Sequence, residues 1–373
     1  MNMRLDTMFA ELHPRRRPGA PASRDQARQL AVIRSMLRTI GSSAEAPPAN
    51  TETASRQPLF TLEALEARKA WARSLSPDAR TMPLAHLRRA ETLGMMRTVA
   101  RAPNDAAISS IAVDFPHAAP VLDWLKQHSA LARCCPGQEL SFPPILLSGP
   151  PGTGKTALSV RIANALGTHH RTIDMATLLT CFSVVGLDAG YASAKPGLVW
   201  ESLQNECMSP VILLDELDKS PRDRREDPAS FLYQLLEPAS ARRFEDATIG
   251  LPVDASKILW IATCNEPERI DPPILSRLQT FEVPLPNADQ MPAVVRSIHR
   301  DLLRWSPWAG AFENELPNAV LTRFADVAPR QVHQTLRGAY ARAALAGRRQ
   351  LCVDDIHVPK QTSRSRPIGF IHA

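Results

Sequence analysis

The stretch Gly149-Pro-Pro-Gly-Thr-Gly-Lys-Thr156 decides the fold of this chain, because it is a complete phosphate-binding loop between a strand pattern and a helix pattern. The apolar run at residues 144–148 predicts a short buried strand, and residues 157–166 have apolar positions at helical spacing. A strand, a glycine-rich turn and a helix place backbone N–H groups and a helix N-terminus around a polyphosphate. This order predicts a nucleotide-binding α/β fold with a parallel sheet.

The residue types of the loop suit a nucleotide with its metal ion. The glycines let the backbone approach phosphate oxygens because they carry no Cβ. The Lys155 ammonium provides a charge for the β- and γ-phosphates, and the Thr156 hydroxyl is placed to bind Mg²⁺. We therefore predict ATP and Mg²⁺ as ligands. The predicted nucleotide-binding residues of the loop are Gly149, Pro150, Pro151, Gly152, Thr153, Gly154, Lys155 and Thr156.

A second pattern predicts hydrolysis as well as binding. Residues 211–214 form an apolar run typical of a strand buried on both faces of a parallel sheet, and Asp215 and Glu216 follow it directly. Side chains at the carboxyl ends of such strands face the ligand crevice. We predict that Asp215 holds Mg²⁺ through water and that Glu216 orients and deprotonates the attacking water. A solvated helix N-cap is the alternative for an isolated Asp-Glu pair.

Composition and charge narrow the class of protein. Residues 1–106 hold 17 Lys and Arg against 10 Asp and Glu, a net +7 in a chain of net +6. This basic excess, which begins at Arg15-Arg-Arg17, predicts either contact with nucleic acid or an acidic partner, or a solvated tail. No stretch approaches bilayer length and no signal-peptide pattern is present, so we expect a cytoplasmic protein without a membrane partner. The six cysteines lack C-x-x-C spacing, which predicts reduced thiols.

Changes in pattern along the chain predict five segments. Pro-, Ala- and Ser-rich residues predict a disordered start, and Pro83 is placed as the first residue of a helix. Strand and helix patterns alternate from near Ile111, and the pattern after Pro286 is helical. The expected segments are a basic, mostly disordered tail at 1–58, a short helical segment at 59–106, the α/β nucleotide-binding domain at 107–286, a helical lid at 287–360 and a C-terminal tail at 361–373.

Several motifs follow the phosphate loop in a fixed order. They are Tyr191-Ala-Ser-Ala-Lys-Pro-Gly197, Leu213-Leu-Asp-Glu-Leu-Asp-Lys219, Asp227-Pro-Ala-Ser230, Leu235-Leu-Glu-Pro238, Ala262-Thr-Cys-Asn265 and Pro273-Ile-Leu-Ser-Arg277. With these motifs, the chain from about residue 142 to residue 358 resembles the AAA+ ATPase module. Within that group it is most similar to the ATPase of Lon proteases. The segment at 227–238 is the most Lon-specific part.

The resemblance implies roles for four further residues. Asn265 matches the sensor-1 residue, which helps to hold the attacking water near the γ-phosphate. Arg277 matches the arginine finger, which reaches into the site of the neighbouring subunit, and Arg330 matches sensor 2, which touches the γ-phosphate in its own subunit. Tyr191 matches the pore residue that grips a translocating polypeptide, although Ala192 is smaller than the side chain usual in the family at that position.

The resemblance also implies a function. We expect an ATP-hydrolysing homo-oligomeric ring, a hexamer, that unfolds or remodels a protein substrate or acts with an adaptor. The Lon peptidase domain has no counterpart after the lid, so we expect no protease activity of its own. Residues 113–119 follow the adenine-side pattern only loosely. Two alternatives are open: a DNA-associated ATPase, such as a loader or transposition helper, and a nucleotide-gated assembly module with incidental turnover.

Overall fold

The computed structural model of this chain describes residues 55–191, 193–221 and 227–358. Some predictions fall outside this part. They concern the basic run at residues 15–17, the N-terminal tail up to residue 54, Ala192 and the C-terminal tail at residues 361–373. None of the described helices combines the length and the apolar composition that a membrane span requires.

The strands form one large sheet and two small ribbons. In chain order they are β1 (Arg56–Pro58), β2 (Met96–Thr98), β3 (Ile145–Ser148), β4 (His170–Asp174), β5 (Val211–Asp215), β6 (Phe244–Glu245), β7 (Pro252–Val253), β8 (Leu259–Cys264) and β9 (Gln279–Glu282). The large sheet has the order β4-β5-β8-β3-β9 and all its neighbouring strands are parallel. The strand of the phosphate loop therefore has a neighbour on each side. Strands β1 and β2 pair antiparallel, as do β6 and β7.

Helices cover both faces of this sheet. They are α1 (Leu62–Ser74), α2 (Pro77–Leu93), α3 (Asp105–Asp114), α4 (Ala119–Arg133), α5 (Lys155–Leu166), α6 (Phe182–Val185), α7 (Leu198–Ser202), α8 (Phe231–Leu235), α9 (Pro238–Ala241), α10 (Pro272–Leu275), α11 (Met291–Trp305), α12 (Asn318–Leu321) and α13 (Pro329–Leu345). Short 3₁₀ turns lie at Pro116–Ala118, Leu217–Lys219, Pro267–Arg269, Ala309–Ala311, Thr322–Phe324 and Val353–Asp355.

The core follows from the alternation of side chains along each strand. Along β3, Leu146 joins the apolar cluster on one face of the sheet, whereas Ile145 and Leu147 join the cluster on the other face. Helices α1 and α2 contribute Leu65 and Leu87 to the first cluster, so the helical segment before the α/β domain shares its core. A sheet buried on both faces needs apolar residues at every position, which explains the continuous apolar runs in the sequence. The predicted parallel sheet between helices is confirmed.

Two local predictions were wrong. Ile111 lies within α3, and the described elements between β2 and β3 are helices, so the alternation of the large sheet with helices begins at β3 rather than near Ile111. The second N-terminal helix begins at Pro77 after the cap Ser76, whose hydroxyl accepts a hydrogen bond from Ala79 N, and Pro83 lies inside it. A capped start with proline at the first position outweighed the break expected at Pro83. Residues 56–58, at the end of the predicted tail, pair with β2.

The helical lid follows the sheet and has a core of its own. Helices α11 and α13 pack together around buried residues that include Val295, Leu336 and Tyr340. Two ion pairs join this lid to the α/β domain. Arg300 on α11 lies 2.7 Å from the buried Asp114 carboxylate at the end of α3, and Asp301 lies 2.5 Å from Arg161 on α5. These contacts hold the lid beside the phosphate loop.

Candidate functional site

A cleft of about 480 Å³ opens at the carboxyl ends of β5 and β8, between the phosphate loop and the lid. Ligands of parallel α/β sheets bind at this edge. The cleft brings together the predicted residues 151–156, Asp215, Glu216, Asn265 and Arg330. The Gly149 and Pro150 carbonyls bond Lys155 behind it. Arg277 and Tyr191 are not among the residues that line the cleft.

The phosphate loop has a conformation that requires glycine. Gly154, which precedes the first residue of α5, has φ +92°, a left-handed value that other residues rarely adopt. At Gly149, a Cβ atom would lie 2.3 Å from the Val283 carbonyl oxygen after β9. The loop therefore packs tightly on the sheet, while the N-terminus of α5 faces the cleft. This arrangement provides backbone N–H groups and a partial positive charge for an anion.

The side chain of Lys155 is the buried cation of the site. It is 7% exposed, and its Nζ donates hydrogen bonds to the carbonyl oxygens of Gly149 at 2.7 Å and Pro150 at 2.9 Å. It also donates to Asn265 Oδ1 at 2.9 Å. Burial lowers the pKa of Lys155, and the nearby carboxylates, including Asp215, oppose that shift. The three hydrogen-bond acceptors of Lys155 are uncharged oxygens, so an anion at this point would give the ammonium a charged partner within hydrogen-bond distance.

Asp215 organises the polar contacts at the end of β5. Its Oδ1 accepts hydrogen bonds from Thr156 Oγ1 at 2.8 Å and from Thr263 Oγ1 at 2.6 Å. Thr263 in turn accepts a hydrogen bond from the Glu216 backbone N–H at 3.0 Å. The two predicted magnesium ligands, Thr156 and Asp215, thus contact each other directly. Thr263 connects them to the backbone of Glu216, the predicted base. The sequence indicates this role only by the position of Thr263, two residues before Asn265.

Glu216 has an unusual backbone and a charged partner. Its φ of +56° lies in the left-handed region, which is uncommon for a residue with a side chain. Lys219 Nζ lies 2.5 Å from Glu216 Oε1, and this hydrogen bond raises the pKa of Lys219. Backbone strain of this kind is common at functional sites. The carboxylate lies at the wall of the cleft, where it can accept a proton from a water molecule.

Asp218 is a residue of the site that the sequence reasoning missed. Its buried carboxylate accepts hydrogen bonds from the backbone N–H groups of Asn265 at 3.2 Å and Glu266 at 3.1 Å. These bonds fix the turn after β8, and with it the direction of the Asn265 side chain toward Lys155. The only sequence signal was its spacing, three residues after Asp215 in the same motif.

The lid and the segment before the loop complete the cleft. Arg330, near the start of α13, lies against the loop, since a Cβ atom at Gly152 would be 3.3 Å from Arg330 Cβ. His117 is buried and its Nε2 lies 3.0 Å from the Thr153 carbonyl oxygen. Burial lowers the pKa of His117. The segment at 113–119, which follows the adenine-side pattern only loosely, therefore contacts the phosphate loop through His117.

Arg277 lies away from the cleft of its own subunit. Its guanidinium donates a hydrogen bond to the Pro273 carbonyl oxygen at 2.5 Å and lies 3.6 Å from a carboxylate oxygen of Glu237. The side chain is about one third exposed. The structure therefore separates the two predicted arginines, with Arg330 at the nucleotide cleft and Arg277 outside it.

Tyr191 lies at the tip of a loop between α6 and α7. Its side chain is 63% exposed, although tyrosine rings are usually at least half buried. The backbone at the tip turns sharply: Tyr191 N donates to the Asp188 carbonyl at 3.1 Å and Ala194 N donates to the Tyr191 carbonyl at 3.0 Å. An exposed aromatic ring on an ordered turn is available for contact with another molecule.

No group of three or more His, Cys, Asp or Glu side chains that could hold a metal ion occurs among the described residues. Mg²⁺ usually keeps several waters and binds through one or two protein ligands together with substrate phosphates. The donors present, the Thr156 hydroxyl and the Asp215 carboxylate, are hard oxygen ligands of the type that Mg²⁺ prefers.

Residues 145–285 match the model of the ATPase family associated with various cellular activities (AAA). The chain is 37% identical over 150 residues to the peroxisomal Lon protease homolog 2 of Pichia angusta, which covers 40% of this chain and 16% of the relative. Residues 145–285 are therefore similar to the AAA+ ATPase module of Lon proteases. The mitochondrial Lon protease homolog of Phaeodactylum tricornutum is 39% identical over 140 residues, covering 37% and 16% of the two chains.

The AAA+ module is the part that the relatives share. Lon protease 2 of Herpetosiphon aurantiacus is 35% identical over 153 residues, or 41% of this chain and 19% of the relative. The chain thus spans under a fifth of the length of these curated relatives. Two of them are named peroxisomal or mitochondrial, so the cytoplasmic location stays a prediction.

The solved structures that are similar to this chain include those of Hsp104 and RuvB. Hsp104 in a closed state with ATPγS and FITC casein has a TM-score of 0.49 and 17% identity, covering 64% of this chain and 47% of that one. The RuvB Holliday junction branch migration motor of Thermotoga maritima has a TM-score of 0.42 and 15% identity, covering 63% and 66%. Because both TM-scores are below 0.5, the fold assignment rests on the strand order and the family match.

Proposed function

We propose that this chain is an ATP-hydrolysing, ring-forming protein that unfolds or remodels polypeptides. The observation that carries the proposal is the separation of two features. One cleft is lined by the predicted nucleotide-binding and catalytic residues Lys155, Asp215, Glu216 and Asn265. Tyr191 is exposed on a loop outside this cleft. An ATPase site and a separate contact site are what a nucleotide-driven motor needs.

The residues of the cleft fit ATP with Mg²⁺. Lys155 and the backbone N–H groups of the loop would hold the β- and γ-phosphates, and Thr156 and Asp215 would hold the magnesium ion. When bound, the nucleotide supplies a phosphoanhydride bond for hydrolysis. Arg330 on the lid would sense the γ-phosphate from the same subunit, so nucleotide state and lid position would be coupled through a contact at Gly152.

Glu216 and Asn265 would manage the attacking water. Glu216 has a carboxylate at the cleft wall and would accept the proton of that water, a contribution of roughly 10²–10⁴ in rate. Asn265 is held by Asp218 on its backbone and by Lys155 on its side chain, so its amide is fixed before the nucleotide arrives. A preorganised polar group of this kind lowers the barrier because it need not reorient during the reaction.

The place of Arg277 supports a ring. Its guanidinium lies outside the cleft of its own subunit, which supports action on the cleft of a neighbour. Head-to-tail contacts of this type close into a ring when the rotation between subunits permits. We propose a homohexamer, in which hydrolysis depends on assembly.

A polypeptide is the substrate that the structure favours. The Lon relatives carry protease names, and Tyr191 presents a flat, amphipathic ring that can contact an extended chain irrespective of its sequence. The predicted DNA contact rests on the net charge of +7 of residues 1–106, of which residues 55–106 lie in the described part. The effect of DNA on turnover tests this contact.

ATPase turnover measured with an unfolded protein, with duplex DNA and with neither tests this function. We expect the unfolded protein to raise turnover severalfold and Tyr191→Ala to abolish that rise while basal turnover and assembly persist. Trp305→Ala, which removes another exposed aromatic ring, is the control and should keep the stimulation. Stimulation by DNA alone, with steep salt dependence, would favour the DNA-associated alternative. Slow turnover that responds to neither ligand would favour the gated assembly module.

A further inference from the structure

The loop that carries Tyr191 is closed at its base by a turn from a distant part of the chain. This turn, residues 246–250, connects β6 to β7 and is called the clamp turn below. The Tyr191 loop runs from Gly186 to Gly197, between α6 and α7. About fifty residues separate the two segments, yet they contact each other through side chains of the clamp turn and backbone atoms of the loop.

Asp246 is the first contact. Its side chain is 0% exposed, and its Oδ2 accepts a hydrogen bond from the Gly197 N–H at 2.7 Å. Its Oδ1 accepts from the N–H groups of Thr248 at 3.0 Å and Ile249 at 3.1 Å. One carboxylate thus fixes both the clamp turn and the end of the Tyr191 loop. Burial raises the pKa of Asp246 to about 6 although these N–H bonds favour its charged form.

Thr248 is the second contact and reaches both sides of the loop. Its Oγ1 lies 2.5 Å from the Leu187 carbonyl oxygen and 2.7 Å from the Lys195 carbonyl oxygen. The same oxygen accepts a hydrogen bond from the Leu187 N–H at 3.2 Å. A hydroxyl has one hydrogen to donate, so it bonds one of these carbonyls at a time. The hydroxyl bridges the two ends of the segment that carries Tyr191, and Leu187 N also donates directly to Lys195 O at 3.3 Å.

Both ends of the Tyr191 loop are packed too closely for a Cβ atom to be added at their glycines. A Cβ atom at Gly186, whose φ is +87°, would lie 2.5 Å from Asp246 Oδ1. A Cβ atom at Gly197 would lie 2.2 Å from the Val184 carbonyl oxygen. The base of the loop is therefore closely packed at both ends, whereas the tip at Tyr191 is exposed.

Helix α1 supports the clamp turn from the other side. Arg68 Nε donates a hydrogen bond to the Ile249 carbonyl oxygen at 2.5 Å, and its guanidinium lies 3.3 Å from the ring centroid of Trp71. A Cβ atom at Gly250 would collide with this guanidinium. Helix α1 lies before residues 145–285, which match the family model. A segment outside the matched region therefore contacts the clamp turn, which in turn contacts the Tyr191 loop.

We propose that Asp246 and Thr248 are positioning residues that hold the base of the Tyr191 loop so that Tyr191 can engage a polypeptide. The engagement of a polypeptide by Tyr191 rests on the proposed function, whereas the anchoring of its loop rests on the hydrogen bonds described above. A side chain that pulls on a polypeptide transmits force only if its loop is anchored, and the hydrogen bonds at the tip are local. Arg68 extends the anchor to α1.

Thr248→Val and Thr248→Ser form a matched pair that tests the clamp. Valine has a similar shape but no hydroxyl, whereas serine keeps the hydroxyl. In Thr248→Val we expect chymotryptic cleavage after Tyr191 to become at least tenfold faster under native conditions, because the anchored loop resists the extended conformation that the protease needs. We expect the polypeptide concentration for half-maximal ATPase stimulation to rise about tenfold, with maximal stimulated turnover changed less than twofold. Thr248→Ser should resemble the wild type in both measurements.

One control variant and one readout that is independent of stimulation separate this inference from the proposed function. Thr322→Val on the lid, which removes an exposed hydroxyl, should change neither measurement. If no polypeptide stimulates the wild type, the proposed function fails, yet the cleavage rate still decides whether the clamp anchors the loop. Unchanged cleavage and unchanged half-maximal concentration in Thr248→Val would overturn the inference.

Asp246→Asn decides the matter if Thr248→Val does not fold. The asparagine Oδ1 can keep the bonds to Thr248 N and Ile249 N, but its NH₂ group would face the Gly197 N–H, so only the loop end is released. Faster cleavage after Tyr191 in this variant supports the clamp. Cleavage at the wild-type rate would contradict it.

Discussion

The nucleotide cleft and the clamp turn bury charged side chains of opposite sign, Lys155 and Asp246, which differ in what surrounds them. Lys155 donates to three oxygens of its own chain, yet it lines a cleft of about 480 Å³. Asp246 accepts three backbone N–H bonds and is fully enclosed. A buried charge is costly unless it is paired or well hydrogen-bonded. The lysine faces a space where an anion can enter, whereas the aspartate is satisfied by the fold alone.

This difference separates a charge that faces a cleft from one that is enclosed by the fold. The three hydrogen-bond acceptors of Lys155 are uncharged oxygens, and the proposed ring would add an arginine from a neighbouring subunit. The hydrogen-bond donors to Asp246 all lie within the chain. We therefore expect variants at the cleft to alter ligand binding and turnover, and variants at the clamp turn to alter loop position and stability.

The largest effect is expected for the part of the cleft that a neighbour must supply. Arg277→Ala should lower ATP turnover by about 10³-fold, or about 4 kcal/mol of barrier, while ATP affinity stays within twofold. The reason is that Arg277 lies outside the cleft of its own subunit and would stabilise transition-state charge in the adjacent one. Steady-state turnover and nucleotide titration of the purified assembly check both statements.

Mixing variants tests completion in trans. Glu216→Gln should bind ATP and stall, because the amide cannot accept the proton of water. Rings that combine Arg277→Ala with Glu216→Gln subunits should regain part of the turnover, since some interfaces then pair an intact finger with an intact base. Absence of rescue in demonstrably mixed rings would show that Arg277 does not act on a neighbour.

The second prediction sets the two buried charges against each other. Lys155→Ala should weaken ATP binding at least 100-fold, about 2.7 kcal/mol, because it removes the cation that faces the cleft. Asp246→Asn should change ATP affinity less than twofold, and Lys126→Ala, at a partly exposed lysine outside the cleft, should behave likewise. Isothermal titration with ATP measures all three. Equal losses in Lys155→Ala and Asp246→Asn would remove the distinction between the two sites.

The sequence allowed the prediction of the cleft because its chemistry restricts residue type and spacing together. Glycine at 154, lysine at 155 and a carboxylate after a buried strand are each required by what they contact. Thr263 and Asp218 escaped prediction because they act on a neighbouring carboxylate or on backbone N–H groups, which many residue types can do. The parallel sheet was predictable from continuous apolar runs. The start of the alternation was expected near Ile111 and lies at β3, because a short apolar run suits a buried helix as well as a strand.

The clamp turn could not have been predicted from the sequence. Its partners are backbone atoms of a loop about fifty residues earlier, and backbone atoms leave no residue-type signature. Gly186 and Gly197 bracket the loop and indicate a turn, but they do not show what packs against it. The start of α2 illustrates the same limit locally, because the choice between Pro77 and Pro83 depends on the cap at Ser76.

The smallest expected effect concerns stability and pH at the clamp turn. The pKa of Asp246 is raised to about 6 from an ordinary value of 3.8, first by burial and further by the charge of Glu201. Below pH 4 the folded and unfolded chains both hold the proton. As pH rises from 4 to 6, the unfolded chain releases it while the folded chain retains it, so the folded state loses stability until the folded pKa is passed. The loss between pH 4 and pH 7 is about 2 kcal/mol.

Asp246→Asn has no such proton, so its free energy of unfolding relative to wild type should rise by that amount over the same range. This holds even if the loss of the Gly197 contact makes the variant less stable at every pH. Urea unfolding followed by tryptophan fluorescence at pH 4, 5, 6 and 7 measures this difference, with Asp123→Asn at an exposed carboxylate as the control. A difference between Asp246→Asn and wild type that stays constant with pH would mean that the enclosed carboxylate keeps its ordinary affinity for protons, and the contrast with Lys155 would then rest on the cleft alone.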